Sequence, residues 1–241
     1  MLLNCDLGES YGSWNMGLDE EVMRHIDQAN IACGFHAGDP MIMRRTLALA
    51  SENGVSVGAH PAYPDLVGFG RRSMALSEEE IIATVQYQIA ALEGMAACAG
   101  LPLEYVKPHG ALYNDMMAKP TVRSAIMAAL ADYHRPLALM LQATPEAGRH
   151  RAEAAERGLS VLFEAFADRC YADDGSLLSR RENGAVHGRE RMLEQVAQLA
   201  EHSCVTTVSG YVLELGVDTL CVHGDNLVGV QAIAAIRELL H

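Results

Sequence analysis

Lysine is nearly missing from this chain: Lys107 and Lys119 are the only two, against sixteen arginines and 31 acidic residues, for a formal charge of −13. A surface this acidic repels phosphate backbones, which argues against nucleic acid as a partner. Aromatic residues make up only 5% of the sequence, so the core is expected to consist of Ala, Val, Leu, Ile and Met. The six cysteines (Cys5, Cys33, Cys98, Cys170, Cys204 and Cys221) form no C-x-x-C pair and no tight cluster. That spacing argues against a structural zinc site or a disulfide scaffold and predicts reduced, mostly buried thiols. No apolar run approaches the roughly 18 residues that a membrane span needs. The N terminus turns polar at Asn4-Cys5-Asp6, too soon for a signal peptide, so a cytoplasmic location without a membrane partner is expected. Neither lysine follows a glycine, which leaves no Walker A motif, and Gly68-Phe69-Gly70 lacks the third glycine of a dinucleotide fingerprint.

Short apolar segments alternate with helical ones from end to end. Strands are predicted at 2–5, 28–32, 55–58, 105–107, 137–141, 159–163 and 219–222, with 204–208 harder to place. Asp39-Pro40 reads as an N-cap followed by proline at the first helical position, and Gly54 ends that helix. Ser77 and Glu80 form a capping box that opens a long helix with Ile82, Val85, Ile89 and Leu92 as its buried stripe, stopped by Gly100. Pro120 starts another, with Val122, Ile126 and Leu130 facing inward. Thr144-Pro145 starts the next, ended by Gly158, and 190–201 and 228–240 complete the set. With no linker, repeat or low-complexity segment, the alternation favours one β/α-barrel domain over residues 1–241, with a doubly wound open sheet as the rival.

Each predicted strand runs into hydrogen-bonding or ionisable residues. Asn4, Asp6 and Glu9 follow the first; Asn30, Cys33, His36 and Asp39 the second; His60, Tyr63, Asp65, Arg71 and Arg72 the third. Lys107, His109, Tyr113 and Asn114 follow the fourth, Glu164, Asp168, Arg169 and Tyr171 the sixth, and His223, Gly224 and Asp225 the last. In a parallel β/α protein the C-terminal strand ends converge on one face, so clusters in phase with the strands point to an active site there. Lys107, at a strand end beside Pro108 and His109, is an odd place for a solubilising charge.

The blocks Asn4-Cys5-Asp6-Leu7-Gly8-Glu9, 29–40, Gly58-Ala59-His60-Pro61, Gly68-Phe69-Gly70-Arg71-Arg72, 106–114, 164–169 and Val222-His223-Gly224-Asp225 resemble the LamB/YcsF family over nearly the whole chain. Leu2, Leu227 and Gly229 depart from its usual pattern. The resemblance implies a β/α barrel, often seven-stranded, of the kind shared with polysaccharide deacetylases. It also implies ATP-dependent opening of 5-oxoproline to L-glutamate, together with two partners, 5-oxoprolinase subunits B and C. ATP is then expected to be used by those partners; self-association is left open.

Opening a γ-lactam requires attack on an unreactive carbonyl, a stabilised oxyanion and a protonated leaving nitrogen. Asp6 or Glu164 is expected as general base, with a pKa raised by burial. His109 or His223 is the expected proton donor, Lys107 the oxyanion stabiliser, and Arg71 or Arg72 the clamp on a substrate carboxylate. Glu9 and Asp225 join the catalytic candidates. Asn30, His36, His60, Tyr113, Asn114, Asp168 and Arg169 are candidates for substrate binding. Asp6, His36 and His60 form a candidate divalent-metal set, since one carboxylate and two imidazoles leave an open position. Plainer roles compete: Asp39 as a helix cap, Cys33 as a buried thiol, and Glu164, Asp168 and Arg169 as a structural ion-pair network. His25, His134, His150, His202 and His241 are given no role. Two rival functions remain at this point, a stand-alone metal-dependent carbohydrate deacetylase and a non-enzymatic lactam-binding scaffold.

Overall fold

The sequence alternates within its short strands, and the alternation decides which side of each strand faces where. In the computed structural model, which describes residues 1–224 and 226–240, the strands are β1 (Leu2–Leu7), β2 (Gln28–Ala32), β3 (Ser56–His60), β4 (Leu103–Val106), β5 (Ala138–Gln142), β6 (Val161–Phe166), β7 (Cys204–Thr206), β8 (Val212–Glu214) and β9 (Thr219–Val222). All but β7 and β8 close into a seven-stranded barrel in the order β1-β2-β3-β4-β5-β6-β9, with every pairing parallel. The segment around 204–208 is thus not a barrel strand: β7 pairs antiparallel with β8 in a separate hairpin.

Around the barrel lie α1 (Asp19–Met23), α2 (Pro40–Asn53), α3 (Glu78–Cys98), α4 (Gly110–Ala118), α5 (Pro120–Ala131), α6 (Ala147–Ala155), α7 (Arg189–His202) and α8 (Leu227–Leu239). One set of strand residues, among them Leu3, Leu7, Ile31, Val57, Val106, Leu139, Leu141, Phe163 and Leu220, is buried in the apolar cluster that also takes in the helices' inner faces. The alternate residues Asn4, Asp6, Asn30, Tyr105, Glu164, Thr219 and Cys221 are equally buried, and they meet across the barrel, as described below. The apolar core therefore lies between strands and helices, and the barrel's interior is polar.

The helix signals act as the sequence predicts. The Asp39 carboxylate accepts from the Met41 and Ile42 amides at 2.8 and 3.0 Å, and Gly54 ends α2 in the left-handed region at φ 67. Ser77 and Glu80 form the capping box of α3. The buried face of α3 runs through Ile81, Val85, Ile89 and Leu92; Ile82, expected there, is only partly covered. α3 is long and apolar enough to cross a membrane by length and composition alone, but this face packs into the core and against α5. Thr144-Pro145 makes a turn before α6, with the Ala147 amide on the Thr144 carbonyl at 3.0 Å. α1 and α4 carry no clear sequence signal. The N-cap of α4 is His109, whose side chain makes no cap hydrogen bond because its ring is engaged elsewhere.

Candidate active site

Parallel pairing places Asp6 beside Asn30 and Asn4 beside Cys221, so polar residues stack in layers inside the barrel. The Tyr105 hydroxyl donates to Asn30 Oδ1 at 2.8 Å. The Asn30 amide donates to Asn4 Oδ1 and to Asp6 Oδ1, both at 2.8 Å, and Asn4 donates on to Thr219 Oγ1 at 2.9 Å. Lys107, immediately after β4, reaches into this chain. Its ammonium lies 2.8 Å from Asp6 Oδ1, 3.0 Å from Glu164 Oε2 and 3.1 Å from Cys221 Sγ.

Burial alone would strip the Lys107 ammonium of its proton, but Asp6 above all, with Cys221 and Glu164, holds its pKa well above the ordinary lysine value. Burial would likewise raise Asp6, yet His60 and Lys107 hold its carboxyl well below the usual range. The expectation of an Asp6 pKa lifted toward neutrality is therefore corrected: these two neighbours outweigh desolvation, and Asp6 stays a carboxylate. Cys33 is pushed up to about 12 by burial, which fits an inert thiol rather than a nucleophile.

Beside this cluster four side chains, one from each of the first four strand ends, converge. His36 stacks on His109 with ring centroids 3.8 Å apart and planes at 6°. His36 Nε2 lies 3.1 Å from Glu9 Oε1, and His109 Nδ1 lies 3.0 Å from His60 Nε2. Burial first, and neighbouring imidazoles next, hold His36 and His109 well below the ordinary histidine value. The 68–72 block explains the close approach. Phe69 sits at φ 53, a strained conformation for a non-glycine residue, and its carbonyl accepts from His109 Nε2 at 2.9 Å. A side chain at Gly70 would come within 2.8 Å of the His109 ring and 2.9 Å of His36; only glycine fits.

A cavity of about 890 Å³ opens beside these groups, lined among others by Asp6, His60, Lys107, His109, Tyr113, Asn114, His223, Arg71 and Arg169. Among the described residues Glu9, Asn30, His36, Arg72, Glu164 and Asp168 are set back from that lining. Asn30 serves the interior hydrogen-bond chain. Arg72 pairs with buried Asp65, which leaves Arg71 as the guanidinium of the pair that faces the cavity. Asp225, a catalytic candidate, and His241 lie outside the described residues.

Glu164, Asp168 and Arg169 do not form one ion-pair network: Glu164 turns to Lys107, Arg169 donates to the Ala185 and Leu178 carbonyls, and Asp168 accepts from His223 Nδ1 at 2.9 Å and from Asn226 at 2.8 Å. The last arrangement leaves His223 Nε2 for the cavity, whereas both His109 nitrogens are engaged. Sequence reasoning passed over His150, which is buried on α6 and lines the cavity, and Arg180 and Arg181, which also line it. An adjacent arginine pair in an acidic chain was the available signal.

A closed parallel barrel with a polar interior, its ionisable groups gathered at the C-terminal strand ends around one cavity, defines a barrel protein built for chemistry on a small molecule. The LamB/YcsF family profile matches residues 1–241. The chain is 56% identical over 241 residues to a 5-oxoprolinase A subunit of Pseudomonas putida, covering 100% of this chain and 93% of that one. It is 56% identical over 238 residues to the 5-oxoprolinase A subunit of Chromohalobacter salexigens, covering 98% and 95%. The crystal structure of the lactam utilization protein from Thermus thermophilus superposes with a TM-score of 0.91 at 39% identity, covering 100% of this chain and 95% of that one. The chain belongs to the LamB/YcsF family.

Proposed function

We propose that this chain is the lactam-opening subunit of an ATP-dependent 5-oxoprolinase, converting 5-oxoproline to L-glutamate with two partner subunits. One observation carries the reading: in a chain of net charge −13, the cavity gathers a buried ammonium and the guanidinium groups of Arg71, Arg169, Arg180 and Arg181 against the carboxylates of Asp6, Glu146 and Asp174. Such a lining suits a small anion, and 5-oxoproline carries one carboxylate. The relatives' names supply the substrate.

In this reading Arg71 and Arg169 hold the carboxylate, and Lys107 faces the oxygen that gains charge as water adds to the lactam carbon. Asp6, the carboxylate of the lining that contacts Lys107, orients that water and takes its proton; Asp6 and, from behind, Glu164 keep Lys107 charged. His223, oriented by Asp168, gives a proton to the ring nitrogen as the C–N bond breaks. Nucleotide chemistry belongs to the partners, which would activate the amide oxygen before water attacks.

The test combines the purified chain with 5-oxoproline, ATP and the two partner subunits, omitting each component in turn, and assays glutamate. Glutamate only in the complete mixture is expected. None in any combination of folded, associated subunits overturns the reading, and acetate from acetylated sugars with divalent metal would replace it with the deacetylase.

A further inference from the structure

A lactam differs from an open-chain amide in the shape of its polar edge. Ring closure holds the amide cis, so the carbonyl oxygen and the N–H lie side by side, whereas an open-chain secondary amide is trans and turns them to opposite edges. A site that recognises the lactam edge needs a donor and an acceptor next to each other. Three polar groups of the cavity lining gather around the Phe166 ring: the Lys107 ammonium 5.6 Å from its centroid, the His223 ring stacked at 5.3 Å and the Tyr113 ring edge-on at 6.2 Å. Lys107 is the donor. Tyr113, in the first turn of α4, is buried, and its hydroxyl makes no well-formed hydrogen bond. Glu164 Oε1 is likewise unpaired, while Oε2 of the same carboxylate lies 3.0 Å from Lys107. Burial first, and the nearby Glu164 charge next, hold the Tyr113 phenol well above the ordinary tyrosine value, so it keeps its hydrogen. A buried hydroxyl left unpaired is uncommon in a folded protein, and this one borders the cavity.

We propose that Tyr113 recognises the ring N–H and that, with Lys107 on the neighbouring oxygen, it selects a cis amide over ring esters and open-chain amides. This rests on the lactam reading and deepens it. A phenol has a single hydrogen to give. The Glu164 carboxylate only accepts, so that hydrogen turns to it, and what Tyr113 offers a ligand is a lone pair. The lactam N–H donates to this lone pair while the lactam oxygen accepts from Lys107. Other acceptors of the lining are engaged: Asp6 holds Lys107 and Asn30, and the Gln142 amide is tied to the Gly175 carbonyl at 2.7 Å. A ring ester puts a lone pair where the N–H would be, facing the Tyr113 lone pair. An open-chain amide in the trans form satisfies Lys107 or Tyr113 but not both.

The test reads binding, not turnover. Calorimetry measures the affinity of the purified full chain for 5-oxoproline and for its ring ester, 5-oxotetrahydrofuran-2-carboxylate, in wild type and in Tyr113→Phe. Because the hydroxyl is unpaired, its loss does not endanger the fold, and circular dichroism checks this. Wild type is expected to bind the lactam at least about tenfold more tightly than the ester, the worth of one hydrogen bond. Tyr113→Phe should lose that factor on the lactam and leave the ester unchanged, so the preference vanishes. A preference that survives in Tyr113→Phe overturns the proposal. An equal loss on both ligands overturns it too, by making the hydroxyl a donor to the carbonyl or a packing group, and so does binding of neither ligand by folded wild-type chain. Failure of the lactam reading appears separately, as no glutamate in the complete mixture; glutamate formed while Tyr113→Phe keeps the lactam preference sinks this inference alone.

Discussion

Lys107 shares its ammonium between two buried carboxylates, and removing it sets them against each other with nothing between. Lys107→Ala is expected to destabilise the fold by about 3–5 kcal/mol, the usual cost of orphaning buried charge, and to cut glutamate formation by about 10²–10³ if the ammonium stabilises the oxyanion. Urea melts and assays of the assembled enzyme measure the two effects separately; a variant as stable as wild type would show that the cluster is not charged as described. Asp168 gives a pH prediction. Burial would raise its pKa, but His223 and the hydrogen bonds from His223 and Asn226 hold it well below the usual carboxylate range. A depressed folded pKa contributes stability that is present above the unfolded value, about 3.9, and is lost as pH falls toward the folded one. The stability gap between wild type and Asp168→Asn should therefore shrink as pH falls below about 5. Urea midpoints measured down that range check it, and a gap that does not narrow rules the charge out. At this scale the sequence was generous with candidates and silent on partners. It could not separate Arg71 from Arg72, because the choice depends on Asp65 being folded under one of them, and it passed over Tyr105 and Thr219, which look like ordinary strand residues until their hydroxyls are seen to point inward.

Among the elements, strand–helix alternation, the caps of α2 and α3 and the proline that opens α5 were legible because they rest on local chemistry. The polar barrel interior was written in the sequence as period-two alternation, in Asn4-Cys5-Asp6 and Thr219-Leu220-Cys221 for example, but deciding which phase faces inward needs the closed barrel. α4 was missed since His109 caps nothing with its ring. The hairpin β7–β8 was ambiguous because three-residue strands carry little pattern. Gly58 shows how one strand accommodates another. A Cβ there would sit 2.1 Å from the Tyr105 ring, and Tyr105 anchors the chain that holds Asp6 through Asn30. Gly58→Ala should cost about 1–3 kcal/mol by overpacking, with a smaller loss in a Tyr105→Ala background where the ring is gone. Thermal melts of the four-variant cycle decide this; equal losses in both backgrounds would mean that the ring is not what the methyl meets.

For the whole molecule, closure depends on the last strand. β9 pairs with β1 on one side and β6 on the other, joining Leu2 to Thr219. A chain ended at residue 216 loses β9 and α8 and bares two strand edges, so it is expected to aggregate; gel filtration and circular dichroism test this, and a monomer with native signal would refute the closure argument. The same pairing has a consequence for synthesis. Asp6 leaves the ribosome early, Lys107 follows 101 residues later, and Cys221 another 114 after that. The buried cluster of Asp6, Lys107 and Cys221 cannot exist on a chain that stops short of β9. Its members lie far apart in synthesis and are brought together only by the strand that shuts the ring.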